Sequence, residues 1–164
     1  MVKLDPIAEF REDHRKVRDG LLELMGALQS KDIVKARKIL DTINVLVGPH
    51  FRYEEEVLYP TLRVFLGEYV DQLLTEHDGV IATARSCAEL LKKDHLTDEE
   101  AKLAVSAARA LLIHVSNCDG LSILSERLSK NEVDALSEKL VAARKAGVSL
   151  LDWAETIRKN RSGN

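Results

Sequence analysis

The run His50-Phe-Arg-Tyr-Glu54 sets an imidazole and a carboxylate four residues apart, on one face of a helix. A nitrogen and a carboxylate oxygen aimed the same way are suited to holding a cation. The face that carries them is otherwise an apolar stripe, so both groups point into a core, where an unmet carboxylate is costly. His14, His77 and His114 each fall on the apolar stripe of a separate segment. A single histidine in such a place is more often a hydrogen-bonded core residue. About 30% of helix positions lie on a core stripe, so four of the five histidines landing there, one per helix, exceeds chance. Four imidazoles and a carboxylate at one level of a dry core would be badly unsatisfied without a metal. Nitrogen and carboxylate donors with no paired thiolates favour iron or manganese over structural zinc. The second ring nitrogens are expected to reach carbonyls or carboxylates.

Four helices must position these groups. The first opens at Asp5 and Pro6, an N-cap followed by a proline at the first helical position. Its stripe runs Phe10, His14, Val17, Leu21, Leu24, Leu28. The second begins at Ile33 and carries Val47, His50, Glu54 and Val57, with a kink expected at Pro49. Pro60 and Gly67 compete to end it. The third runs from about Leu66 to Leu91 through His77, and a charged turn follows, with His95 exposed in it. The fourth starts with a capping box, Thr97 to Glu100, and carries Leu111, His114, Cys118 and Leu121. A fifth helix is expected over about 132–159. The fold class is therefore all-α: an up-down-up-down antiparallel four-helix bundle, its core about residues 5–128, with the additional C-terminal helix on the outside. The whole of 1–164 reads as one domain.

Composition narrows the function. Charged residues make up 31% of the 164 and hydrophobic ones 45%, with a net charge of −3. No basic cluster points to nucleic acid. No apolar run approaches the ~20 residues of a membrane span, and the N-terminus lacks the apolar core of a signal peptide. Cys87 and Cys118 make no disulfide framework, which fits a soluble cytoplasmic protein with reduced thiols. Glu55 and Glu56 turn away from the stripe and read as a solvated face. Tyr53 and Tyr69 lie near the histidines in helical phase and read as packing residues. Lys159–Asn164 is a polar tail.

The residues His14 within Asp-His-Arg-Lys, His50-Phe-Arg-Tyr-Glu54-Glu-Glu-Val-Leu-Tyr-Pro, Glu76-His77, and His114 followed by Asp119 resemble the hemerythrin-like (HHE cation-binding) family over about residues 8–128. The resemblance implies a non-haem centre of two Fe ions, oxo- or hydroxo-bridged. His50 and Glu54 would ligate iron, with Glu54 bridging, and His14, His77 and His114 would be terminal ligands. Asp119 matches the second bridging carboxylate of the oxygen carriers by its spacing. On a regular helix it lies about 140° around from His114, so it needs a local distortion, and Cys118 is the reserve ligand. The carriers have a further histidine where this chain has Leu73. That departure leaves open coordination positions on both irons and leans away from simple oxygen carriage. The implied function is binding of, or reaction with, a small diatomic (oxygen or nitric oxide) or peroxide, in sensing or detoxification. Iron storage, delivery or iron sensing without turnover is the alternative, and a metal-free helical interaction module a third.

Overall fold

The computed structural model describes residues 4–158, and these are helical with no strand among them. Helix α1 spans Pro6–Gln29, α2 Ile33–Tyr53, α3 Tyr59–Leu66, α4 Tyr69–Leu90, α5 Asp98–Asp119, α6 Lys130–Ala146 and α7 Leu150–Thr156. Two tighter or looser windings complete the path: a π-helical turn at Glu54–Leu58 and a 3-10 segment at Gly120–Arg127. The polar tail expected over 159–164 lies outside the described residues.

Local chemistry sets most boundaries. Asp5 caps α1 by accepting from the Ile7 and Ala8 amides. The Thr97 hydroxyl accepts from the Glu100 amide, and the Glu100 carboxylate accepts from the Thr97 amide. Replacing Thr97 with alanine should cost about 1 kcal/mol. Chemical denaturation of that variant should show a lower midpoint with an unchanged slope.

The second helix behaves differently from the sequence pattern in one respect. It runs through Pro49 without a break, and regular winding is lost only at Glu54–Leu58. Pro60 has no N–H to continue the ladder. In the turn before it, the Tyr59 amide reaches back five residues to the Glu54 carbonyl. The chain then continues to Gly67, whose φ of +54° ends α3.

The single fifth helix expected over 132–159 is two. Gly147 takes the left-handed conformation (φ +60°) that closes α6, and Ser149 caps α7. Nor does this segment lie merely outside. Leu150 and Trp153 of α7 are buried among residues of α1, α2, α4 and α5. Gly48 on α2 makes the approach possible, since a Cβ there would meet the backbone of residues 148–150.

Helix α1 packs against α2 and α5, and α4 against α2, α3, α5 and α7. Two apolar clusters result. One gathers Leu21, Leu28, Val47, Ile81, Val105 and Trp153. The other gathers Phe10, Tyr59, Leu62, Leu73, Leu136 and Leu140. His14, His50 and His77 each lie, along their own helices, between members of the first cluster and members of the second. A buried polar layer thus separates two dry ones.

Candidate metal centre

Glu54 is the middle of this layer, fully buried at the entry to the π turn. Its Oε1 lies 3.3 Å from His50 Nε2 and 3.9 Å from His14 Nε2. The Cys118 thiol donates to the same oxygen at 2.7 Å. Its Oε2 lies 3.2 Å from His77 Nε2, near enough to attract but out of hydrogen-bond alignment, and is left without a hydrogen-bond partner. His14 and His50 bring their Nε2 atoms to 3.1 Å of each other. On the other side the rings of His77 and His114 meet edge to face, centroids 5.2 Å apart. The imidazoles therefore form two pairs flanking one carboxylate. Phenyl rings hold their planes: Phe51 stacks on His77 at 3.7 Å and Phe10 on His50 at 5.3 Å.

Every one of the four histidines has its Nδ1 committed to a carboxylate. His14 meets Asp119 at 3.2 Å, His50 meets Asp13 at 3.2 Å, His77 meets Glu55 at 2.9 Å and His114 meets Glu76 at 2.9 Å. With Nδ1 turned outward to a carboxylate, Nε2 is the nitrogen that faces the interior and can take a metal ion, as in metal-binding histidines backed by a carboxylate. The pattern closes on itself. Asp13 of α1 serves a histidine of α2, and Glu55 of the π turn serves one of α4. Glu76 of α4 then serves α5, and Asp119 of α5 serves α1.

Two of these carboxylates are anchored by arginines. Arg144 of α6 donates to Asp13 at 2.9 Å and to Glu9 at 2.5 Å. Arg158, just beyond α7, donates to both oxygens of Glu55 at 3.1 Å and pairs with Asp78. Burial would raise the Asp13 and Glu55 carboxyls, but the adjoining imidazole and arginine hold both below the usual range.

The electrostatics of the layer fit a cation. Burial resists the charge on Glu54, yet His50 and His77 hold its carboxyl well below the ordinary value. Burial would lower His50, but Glu54 and Asp13 outweigh it and raise its pKa to about 10. Burial and the neighbouring His50 bring His14 down to about 4, against the pull of Glu54 and Asp119. One proton on His50 thus serves where a metal ion could, and a metal would displace it. Among the described residues, the donor atoms of His14, Glu54 and Cys118 lie within 4.8 Å of one another, with His50 Nε2 beside them.

Of the residues singled out in the sequence, the structure brings His14, His50, Glu54 and His77 together and sets His114 beside His77. It does not bring Asp119 to Glu54. Helix α5 stays regular through Asp119 and tightens only from Gly120, so this carboxylate turns to the outer side of His14. Glu55, read as solvated, is buried, because the five-residue winding of the π turn keeps Glu54 and Glu55 both facing inward. Glu56 is exposed as expected, and so is His95. Tyr53 packs in the core and Tyr69 is 39% exposed. Tyr59 is the tyrosine that arrives: its hydroxyl lies 3.0 Å from His77 Nε2 and 3.4 Å from Cys118 Sγ. The outer carboxylates carried a usable signal, since Asp13, Glu55, Glu76 and Asp119 each adjoin a residue of the cluster in sequence.

Among the described residues no helix is long and apolar enough to cross a membrane. Searches of curated proteins and of solved structures each return no match. The family model described as "Hemerythrin HHE cation binding domain" matches residues 5–120, a span that holds every histidine of the buried layer. On that match and the geometry that goes with it, the chain belongs to the hemerythrin HHE cation-binding family, and its buried His/Glu/Cys cluster is a metal-binding arrangement.

Proposed function

We propose that this is a non-haem di-iron protein that binds or reacts with a small diatomic, oxygen or nitric oxide, or with peroxide. The long helices α1, α2, α4 and α5 are read as the antiparallel bundle holding the centre. His14 and His50 would hold one iron and His77 and His114 the other, with one oxygen of Glu54 for each. The observation that carries this reading is the ring of four carboxylates, each fixing an Nδ1–H and so leaving an Nε2 for a metal. Bundle cores are where two-metal carboxylate sites are built. The irons supply reversible one-electron chemistry and coordination positions for a small ligand.

The residues of this chain do the rest. Glu54 carries the negative charge between the two imidazole pairs. Phe10 and Phe51 fix the ring planes and help to exclude water. An apolar cavity of about 70 Å³, lined by Val17, Val47, Ala84, Ala108 and Leu111, reaches His14, His50 and His114. Its size and dryness suit a diatomic better than any polar metabolite. The unpaired thiols accord with a reducing, cytoplasmic setting.

Anaerobic loading of the purified chain with ferrous iron should give about two irons per chain. Stopped-flow mixing with nitric oxide, oxygen and peroxide should then show an optical change with at least one of them. Stable iron with no response to any would favour storage or delivery. No uptake would sink the metal reading. Replacing His95 with alanine should leave the iron content unchanged.

A further inference from the structure

A centre built on Glu54 alone is short of negative charge. Two metal dications between four neutral imidazoles would have one carboxylate to share, because Asp119 faces away and, among the described residues, no second carboxylate joins the cluster. Two other buried groups occupy the room where further donors belong. Cys118 has no exposed surface, and its Sγ lies 2.7 Å from Glu54 Oε1, on the side of His14 and His50. Tyr59 has none either, and its hydroxyl lies 3.0 Å from the Nε2 of His77. The π turn is what puts it there. On an α-helix residue 59 would lie about 140° around from residue 54, but the five-residue hydrogen bond from the Tyr59 amide to the Glu54 carbonyl winds the two onto one face. Glu54 Oε2, on the side of His77, is buried without a hydrogen-bond partner, so the interior holds a lone pair that a cation would meet.

We propose that Cys118 and Tyr59 are metal ligands, a thiolate completing the His14–His50 half of the site and a phenolate completing the His77–His114 half. This rests on the two-metal reading above and deepens it. The two positions become chemically unequal: one has two imidazoles, a carboxylate oxygen and a sulfur, the other two imidazoles, a carboxylate oxygen and a phenolic oxygen. Each coordination forms one metal–sulfur or metal–oxygen bond and releases one proton, from the thiol or the phenol, to solvent. No electron is transferred in either step. Softer divalent metals should prefer the sulfur-bearing half.

The test uses the full chain freed of metal and loaded anaerobically with cobalt(II), or with ferrous iron followed by air oxidation. The cobalt form should show a thiolate-to-metal charge-transfer band in the near ultraviolet. That band should be lost in Cys118→Ser and kept in Tyr59→Phe and in Cys87→Ser. The ferric form should show a visible phenolate-to-iron band, lost in Tyr59→Phe and kept in Cys118→Ser. Cobalt K-edge absorption of the unaltered chain, which needs no variant to fold, should show a sulfur neighbour. Cobalt bound with neither a thiolate band nor a sulfur neighbour would overturn the role of Cys118 while leaving the two-metal reading in place. Loaded ferric protein without a phenolate band would do the same for Tyr59. A chain that takes up neither metal would overturn both this proposal and the reading beneath it.

Discussion

Glu54→Gln is expected to strip the chain of most of its metal. The carboxylate is the one group within reach of both imidazole pairs, with Oε1 3.3 Å from His50 and Oε2 3.2 Å from His77. Removing even a group that only supports a metal-binding histidine costs about 10–100-fold in affinity. Removing the shared anion should cost more than about 100-fold. The measurement is metal content by elemental analysis after gel filtration, paired with a thermal melt. Metal at about 100 times its dissociation constant adds about 2.7 kcal/mol to the folded state. For a chain of this size that is roughly 5–10 °C in melting temperature. The unaltered chain should gain that increment on loading and the variant should not. Asp119→Asn is the matching contrast: it removes an outer partner of His14, so affinity should fall by about 10–100-fold while the metal remains detectable. Equal losses in the two variants would mean that Glu54 has no special position between the pairs.

The largest effect on stability should come from Gly48→Ala. A Cβ at this position would lie 2.1 Å from the Val148 carbonyl oxygen, 2.5 Å from the Ser149 carbonyl carbon and 2.6 Å from the Leu150 amide nitrogen. All three are backbone atoms and cannot swing aside. The loop between α6 and α7 would have to lift, drawing Leu150 and Trp153 from the core and Arg158 from Glu55. Overpacking of a core ordinarily costs about 1–3 kcal/mol, and a clash against fixed backbone should exceed the upper end. Thermal melts should fall by more than about 6 °C, and limited proteolysis should open near residues 147–149. Gly26→Ala serves as the control. Nothing lies within 4 Å of a Cβ there, and a helix-interior glycine gains about 1 kcal/mol on becoming alanine.

The parts of this molecule that obey a regular α-helical count were legible in the chain. His14, His50, Glu54 and His77 share one interior because steps of three and four keep a helix face constant. The same reasoning placed the capping box at Thr97 and left His95 in solvent. Legibility stopped where the winding changed. From Glu54 onward the π turn shifts the phase, so Glu55 enters the core and Tyr59 reaches His77, neither of which an α-helical count allows. Asp119 lies on the outer side of His14 rather than beside Glu54. Helix α5 stays regular through it, and the winding tightens only from Gly120. The split of the last helix turned on Gly147, whose left-handed backbone ends α6 and is followed at once by a new cap at Ser149. The reach of Arg144 to Asp13 and of Arg158 to Glu55 could not be read at all, because each pair is more than 100 residues apart along the chain.

Those two arginines tie occupancy of the centre to the seating of the final hairpin. Asp13 and Glu55 are buried anions, each steadying a histidine on its inner side and held by a cation from residues 130–158 on its outer side, beyond the span matched by the family. Detaching that hairpin would leave two negative charges unbalanced in the interior, at a cost of several kcal/mol for each. Because linked equilibria are reciprocal, whatever loosens the hairpin must weaken the hold on metal, and metal in place must slow amide exchange along α6 and α7. A segment that touches no metal thereby becomes a lever on how long one stays.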